Sequence, residues 1–221
     1  MAVEGIRDMN GWNKAVLDKL KKQLSEIPQT LIGEEECRKA GICMPLVQGE
    51  DGWEMLFEVR SSRLKAQPGD ICFPGGMLEE YESPLQGACR ELREELLIGE
   101  ADFEVLGSGK LLHTGSGMLL YPFAVLLKDY KGTFSPAEVD RVFTVPVSFF
   151  LENEPEVYEI ALEVRTPDDF PYEKISGGKN YSWRKRREKV YFYQYGEYSI
   201  WGITARLIYA SGILECLREL E

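Results

Sequence analysis

The sequence predicts an α/β domain in which helices pack on a central sheet. Apolar residues recur at helical spacing near both ends of the chain and in one middle segment, and runs typical of β-strands lie between these segments. The 221 residues, 44% hydrophobic and 29% charged, can bury one generous core. We therefore predict a single domain over residues 1–221.

The elements follow from local patterns. The first helix is predicted over residues 11–27, because Pro28 follows its last apolar residue. Two β-type runs flank a Gln-Gly-Glu-Asp-Gly sequence that suits a hairpin loop. The predicted strands are 41–47, 53–59, 103–112, 118–127, 141–147, 156–164 and 191–195. Residues 165–189, rich in Pro, Gly and charge, predict an exposed excursion, and a last helix is predicted over about 203–220.

Charge and cysteine content exclude several classes of function. With 26 basic and 37 acidic residues, the net charge of −11 repels nucleic acids and anionic membranes, so we expect neither as a partner. A phosphate-bearing substrate would need bound cations or a local basic patch. Five scattered cysteines without a CxxC pair, and a single histidine, predict free thiols rather than a zinc site or disulfides. We expect a cytoplasmic location, since no signal-peptide or membrane-spanning run is evident.

The middle helix carries the candidate chemistry. Ser83-Pro84-Leu85-Gln86 forms a capping box with proline at the first helical position, so a helix should span roughly residues 83–98. Glu91, Glu94 and Glu95 share one of its faces, apart from the apolar stripe. Oxygen-only ligands of this kind suit Mg²⁺ or Mn²⁺. We interpret Gly87, one turn earlier, as room for ions and phosphate.

A solvated acidic helix face is the alternative explanation for these glutamates. The upstream sequence Phe73-Pro74-Gly75-Gly76 argues against it, because two glycines allow the backbone to approach a metal or phosphate closely. The spacing from Gly76 to Glu82 and on to Arg90-Glu91-Leu92-Arg93-Glu94-Glu95 resembles the signature box of the Nudix hydrolases, over residues 76–98. Leu97 replaces the glycine of that box, so we predict that the helix continues and stops at Gly99.

The resemblance implies a Nudix-type α/β/α sandwich with a mixed β-sheet, and hydrolysis of a nucleoside diphosphate linked to another group. It implies that Arg90 orients the glutamates and that Glu82 supports the loop or an outer metal. The general base stays open between Glu91, Glu94 and Glu138. The implied ligands of Mg²⁺ or Mn²⁺ are Glu91, Glu94, Glu95 and the Gly75 carbonyl.

A second signature resembles the coenzyme A pyrophosphatase branch of this family. It runs from Leu56 to Gly76 with matching spacing, although Phe57, Glu58 and Lys65 replace the expected Leu, Thr and Arg. If it holds, the substrate is coenzyme A or acyl-CoA, split into adenosine 3′,5′-bisphosphate and 4′-phosphopantetheine or its acyl form. The residues expected to bind this substrate are Arg60, Arg63, Lys65 and Phe73.

Three alternatives stay open. The substrate could be that of another Nudix hydrolase, such as ADP-ribose, NADH or a nucleoside triphosphate. The chain could instead be a catalytically silent nucleotide-binding regulatory module, or bind RNA through the basic cluster 184–187, which we interpret as a solvated loop. His113 is expected to be structural or solvent-facing, and a homodimer is a further expectation.

Overall fold

A computed structural model describes residues 14–26, 33–50 and 52–219 of the protein. The chain divides into two compact units, residues 1–36 and 37–221. In the first unit, helix α1 spans Lys14–Ser25 and a short 3-10 turn covers Glu34–Glu36. The predicted first helix is confirmed over these residues, while residues 11–13 and 27 lie outside the described part. The single domain over 1–221 stays a prediction.

The described part of the second unit contains a mixed sheet and four α-helices. The helices are α2 (Pro84–Leu96), α3 (Val147–Glu152), α4 (Gly202–Ala210) and α5 (Ile213–Arg218). The strands are β1 (Arg38–Gln48), β2 (Trp53–Arg60), β3 (Ile71–Cys72), β4 (Gly75–Met77), β5 (Phe103–Ser108), β6 (Leu112–His113), β7 (Met118–Leu127), β8 (Val139–Pro146), β9 (Glu156–Leu162), β10 (Arg186–Tyr195) and β11 (Tyr198–Trp201).

Strands β1 to β8 form the larger sheet, with the order β3-β2-β1-β7-β5. Strand β4 also pairs with β1, β6 with β7 and β8 with β2. Strands β1 and β7 run parallel, from Arg38 opposite Met118 to Leu46 opposite Leu126, whereas β1 and β2 are antiparallel neighbours joined by a short turn. The predicted hairpin and the mixed sheet are therefore confirmed.

Successive side chains along a strand point to opposite faces of the sheet, and each face carries its own apolar core. Cys43 and Leu56 point to one face and pack with Leu92 of α2. Met44 and Phe57, one position on, point to the other face, where α3, α4 and α5 pack. Helices thus cover both faces, and the predicted α/β sandwich is confirmed.

Strands β9, β10 and β11 form a separate antiparallel sheet. Residues 186 and 187 of the basic cluster belong to β10 and pair with Leu162 and Ala161 of β9, so the interpretation of 184–187 as a loop is wrong for half of the cluster. Arg187 forms an exposed ion pair with Glu159 at 3.1 Å. Strands β3, β4 and β11, each of two to four residues, are absent from the sequence-based prediction.

The last helix departs from the prediction of a continuous helix over 203–220. It is broken into α4 and α5 at Ser211-Gly212, where Gly212 has a φ of +85°. Position 220 lies outside the described residues. The segment 149–151 belongs to α3.

The predicted strand 103–112 is divided in the structure, because β5 ends at Ser108 and residue 112 begins β6.

The prediction that α2 continues to Gly99 is wrong. The helix ends at Leu96, and Leu97 itself adopts the left-handed conformation, with φ 53° and ψ 47°. The amide groups of Leu97 and Ile98 both donate to the Arg93 carbonyl, which satisfies helix-end groups as a glycine would. The geometry of the box is therefore kept although its glycine is missing.

No helix among the described residues is long and apolar enough to cross a membrane.

We expect Leu97→Gly to raise the free energy of unfolding by up to about 1 kcal/mol, because the left-handed conformation is strained for a residue with a Cβ. The Leu97 side chain is 58% exposed, so little packing is lost. Chemical denaturation measures the change. Leu111→Gly is the matched control, since Leu111 is 57% exposed and has no positive φ, and it should not stabilise. Equal effects of both substitutions would contradict the strain.

Candidate functional site

A capping box at the N-terminus of α2 fixes where the helix that carries the candidate site begins. The Gln86 amide donates to Ser83 Oγ at 3.3 Å, and the Ser83 amide donates to Gln86 Oε1 at 2.9 Å. Pro84 occupies the first helical position. The predicted capping box is confirmed, and it sets which residues of α2 face the sheet.

Three carboxylates from two elements converge at this helix. Glu91 and Glu95 come from α2, one turn apart, and Glu138 comes from the turn that precedes β8. One oxygen from each lies within 4.8 Å of the others, which is close enough to share a metal ion. Glu95 is buried, Glu91 is half-buried and Glu138 is exposed. The set therefore opens toward solvent on the side of Glu138.

Arg90 holds the exposed side of α2 in place. Its guanidinium donates to both oxygens of Glu82, at 3.0 and 3.1 Å, and to the Met77 carbonyl at 3.2 Å. The remaining nitrogen contacts Glu91 Oε1 at 2.8 Å and Glu94 Oε2 at 3.3 Å. The geometry agrees with the expected roles of Arg90 in orienting the glutamates and of Glu82 in supporting the loop.

The Gly75-Gly76 segment lies directly against the carboxylates. The Gly75 amide donates to Glu95 Oε2 at 2.8 Å, which fixes the buried carboxylate from the sheet side. A Cβ added at Gly76 would overlap the Glu91 carboxylate, so only glycine allows this approach. The backbone of these glycines therefore lies close to two carboxylates, while its approach to a metal or phosphate stays a prediction.

The interpretation of Gly87 as room for ions is wrong. A Cβ there would meet Leu78 Cδ2 at 2.5 Å and Glu82 Oε2 at 2.9 Å. The missing side chain accommodates Leu78 and Glu82 of the loop that precedes α2. Glu94, whose side chain is 57% exposed, is outside the cluster of three carboxylates. Its role as a metal ligand, like that of the Gly75 carbonyl, stays a prediction.

Burial and mutual repulsion disfavour the charged forms of these carboxylates. Burial, followed by the charge of Glu58, raises the pKa of Glu95 to about 9, against the effect of the Gly75 amide. Burial also raises the pKa of Glu91 above its ordinary value, although Arg90 opposes the shift. A nearby cation would reverse both shifts by favouring the ionised carboxylates.

Glu58 is a site residue that the sequence-based reasoning noted only as a replacement for threonine. It lies in β2 with 1% of its surface exposed, and burial raises its pKa to about 7. Cys72 Sγ donates to its Oε1 at 3.3 Å, while its Oε2 has no hydrogen-bond partner among the described residues. The available signal is an acidic residue directly between two apolar residues, Phe57 and Val59, of a predicted strand.

A groove of about 430 Å³ runs beside the glycine segment. Arg60 and Phe73, two of the predicted substrate-binding residues, line it together with Trp201 and Ile203 of the β11–α4 junction. Phe73 is almost fully buried and stacks on Phe57 at 4.8 Å between ring centroids, so it forms the floor of the groove.

The other predicted substrate-binding residues, Arg63 and Lys65, are exposed on the loop between β2 and β3 and do not line this groove. His113 is exposed in β6, as expected of a residue without a catalytic role. The structure thus brings together Glu91, Glu95, Glu138 and Arg90, and places Arg60 and Phe73 in the adjoining groove.

Comparison with known proteins identifies the family. Residues 38–183 match the NUDIX domain. A peroxisomal coenzyme A diphosphatase of Caenorhabditis elegans is 36% identical over 144 residues, which cover 62% of this chain and 60% of that protein. The uncharacterised Nudix hydrolase NudL of Photorhabdus laumondii is 29% identical over 87% of this chain and 92% of its own length.

A peroxisomal coenzyme A diphosphatase of Mus musculus is 30% identical over 122 residues, 54% of this chain and 51% of its own length. The chain therefore spans between half and two thirds of the length of the two named diphosphatases. The domain match covers β1 to β9, α2 with its carboxylates and the glycine segment, and the chain belongs to the Nudix hydrolase family.

Proposed function

We propose that the protein is a divalent-cation-dependent diphosphatase that hydrolyses coenzyme A or acyl-CoA to adenosine 3′,5′-bisphosphate and 4′-phosphopantetheine or its acyl form. The observation that carries the cation dependence is the convergence of Glu91, Glu95 and Glu138 within 4.8 Å. The choice of substrate rests on the second signature, over residues 56–76, and on two relatives that are named coenzyme A diphosphatases.

The carboxylates fit a hard divalent cation such as Mg²⁺ or Mn²⁺. They offer only oxygen ligands, and burial and mutual repulsion raise the pKa values of Glu95 and Glu91, a cost that a bound cation would offset. Glu91, Glu95 and Glu138 would hold the ion, with Glu94 and the Gly75 carbonyl as further ligands that the family resemblance implies. Such an ion neutralises diphosphate oxygens and lowers the pKa of the attacking water.

The chain's own residues perform the remaining tasks. Arg90 keeps Glu91 oriented through the 2.8 Å contact and is itself fixed by both oxygens of Glu82. Glu138 is exposed, and its carboxylate makes no hydrogen bond or ion pair with the described residues. Glu138 can contact the ion through one carboxylate oxygen and keep the other for a proton. We therefore assign Glu138 as the general base that accepts the proton of the attacking water, in preference to Glu91 or Glu94, which Arg90 engages.

The groove beside the glycine segment is suited to the rest of the substrate. Arg60 supplies a positive charge there, which offsets the overall charge of −11 near a diphosphate or the 3′-phosphate. Trp201 and Ile203, 45% and 41% exposed, offer apolar surface to the adenine ring or the pantetheine arm. Arg63 and Lys65 lie on the neighbouring exposed loop and would contact phosphates that extend beyond the groove.

Two alternatives make different demands on the same site. Another Nudix substrate such as ADP-ribose, NADH or a nucleoside triphosphate would use the same carboxylates without the 3′-phosphate contact. A catalytically silent module would not need the arrangement of Arg90, Glu82 and Glu91, which orients a carboxylate in the cleft. That arrangement favours an enzyme. The cytoplasmic location stays a prediction, because two relatives are named as peroxisomal proteins. A homodimer likewise stays a prediction.

We expect Gly76→Ala to lower kcat for coenzyme A hydrolysis on the order of 10²-fold, because the new Cβ displaces the Glu91 carboxylate. Steady-state kinetics in Mg²⁺ measure the effect. Gly107→Ala is the matched control in β5, where an added Cβ meets nothing within 4 Å, and it should leave kcat unchanged. A Gly76→Ala variant with full activity would show that Glu91 need not occupy this position.

In the absence of divalent metal, the free energy of unfolding should fall as the pH rises from about 5 to 9. The pKa values of Glu58 and Glu95 in the folded protein, about 7 and about 9, lie above the ordinary 4.5, so the stability that they contribute at low pH is lost as each ionises. Denaturation in EDTA at several pH values measures this fall. Mg²⁺ should reduce it, because a bound cation favours the ionised carboxylates.

Glu95→Gln should make that fall shallower, whereas Glu104→Gln, which alters an exposed residue paired with Lys128, should leave it unchanged. If the free energy of unfolding falls equally steeply with pH in wild type, Glu95→Gln and Glu104→Gln, then overall charge, rather than the buried carboxylates, controls the pH dependence.

A substrate comparison in Mg²⁺ or Mn²⁺ tests the proposed activity. We expect kcat/KM for coenzyme A or an acyl-CoA to exceed that for ADP-ribose, NADH and nucleoside triphosphates, and reaction in ¹⁸O water to place the label on one of the two phosphate products. Dephospho-CoA, which lacks the 3′-phosphate, is the matched control for the Arg60 contact and should react more slowly. Faster hydrolysis of ADP-ribose than of coenzyme A would contradict the proposed substrate but not the assignment to the Nudix hydrolase family.

A further inference from the structure

Glu58 is a buried carboxylate with an incomplete set of partners. Only 1% of the surface of Glu58 is exposed. Its Oε1 accepts a hydrogen bond from Cys72 Sγ at 3.3 Å, and its Oε2 has no hydrogen-bond partner among the described residues. A buried carboxylate oxygen without a donor is costly, and native structures seldom leave one in that state. This oxygen is therefore suited to contact a bound cation.

The side chain of Glu58 is directed toward the carboxylate cluster. Alternation along β2 places Glu58 on the same face as Leu56, which packs against Leu92 and Leu96 of α2. That helix carries Glu91 and Glu95. Glu58 lies near enough to Glu95 for their charges to interact strongly, and it also interacts with Glu91 and Glu138.

The nearest positive charge does not pair with Glu58. The charge of Arg60, two residues along the same strand, acts on Glu58. Its Nε nevertheless donates to the Ala66 carbonyl at 3.4 Å, and Arg60 lines the substrate groove. Glu58 and Glu95 are thus two buried carboxylates whose charges repel each other, and neither forms an ion pair with the described residues.

We propose that Glu58 is a further ligand of the divalent cation site, so that Glu58 and Glu95 form its buried side while Glu91 and Glu138 form its exposed side. This rests on the proposed cation dependence but not on the choice of substrate. The signature of the coenzyme A pyrophosphatase branch has threonine at this position, so the additional carboxylate is a property of this chain. It adds one negative charge to the ligand set and should increase the affinity for the ion.

Mn²⁺ binding to the substrate-free protein tests the proposal. The free ion is followed by electron paramagnetic resonance during titration of wild type, Glu58→Gln and Glu54→Gln. We expect Glu58→Gln to bind Mn²⁺ at least about tenfold more weakly, or to bind one ion fewer. Glu54→Gln is the matched control, on the same strand and face, where its carboxylate accepts from Thr144 Oγ1. It should bind Mn²⁺ as the wild type does.

Stability in EDTA separates a ligand from a structural residue. Burial of a metal-binding carboxylate destabilises the metal-free protein. Its replacement by neutral glutamine should therefore leave the free energy of unfolding unchanged or raise it. Glu58→Gln should therefore bind Mn²⁺ more weakly while being at least as stable as wild type without metal. Wild-type Mn²⁺ binding by Glu58→Gln would overturn the proposal. Weaker Mn²⁺ binding accompanied by lower stability in EDTA would also overturn it, because it would indicate a structural role.

If Glu58→Gln does not fold, Glu58→Thr, which restores the residue of the signature, is measured in the same way. Failure of both variants to fold in EDTA would assign Glu58 a structural role and overturn the proposal. Since no substrate is present, the result is independent of the proposed activity. If Glu58→Gln loses Mn²⁺ affinity and the wild type does not hydrolyse coenzyme A, only the proposed substrate is contradicted. The assignment of Glu58 as a ligand then stands.

Discussion

Repulsion between carboxylates held in a partly buried cleft is the constraint to which the rest of the site responds. Glu91, Glu95 and Glu138 have oxygens within 4.8 Å of one another, and Glu58 adds a fourth negative charge from the sheet. Such an arrangement is unfavourable in a folded protein unless protons or cations compensate it. The raised pKa values of the buried members express this cost in the metal-free protein. Binding of a divalent cation would convert the same cost into affinity, and family membership supports that use of the site.

The surrounding structure holds these charges in place. The Gly75 amide fixes Glu95 from the sheet, and Arg90 fixes Glu91 from the solvent side through its bidentate contact with Glu82. The apolar stripe of α2 packs on the sheet, so the carboxylates cannot separate by rotation of the helix. Glu138 enters from a different element and is the least constrained of the three, which is the property expected of a group that exchanges protons with solvent.

The sequence allowed the fold class, the middle helix and its cap, and strand β7 to be predicted, because each depends on local periodicity or on capping chemistry. It did not reveal β3, β4 or β11, because two to four residues are too few to show a period and these strands are defined by their pairing partners. The role of Glu58 was missed for the same reason, since its place beneath α2 follows from sheet register. At Leu97, by contrast, the local pattern predicted the wrong end for α2. The helix ends with Leu97 in a left-handed conformation that propensity alone would assign to glycine, and the last helical carbonyls, of Glu95 and Leu96, accept hydrogen bonds from Ser135 and Thr133.

The most direct test of the account is the anomalous difference density of a crystal soaked in Mn²⁺. We expect a peak bounded by the carboxylates of Glu91, Glu95 and Glu138, with Arg90 still bound to Glu82. Crystals in which Mn²⁺ binds elsewhere, or in which the three carboxylates remain without density between them at saturating Mn²⁺, would contradict the assignment of this cluster as the metal centre.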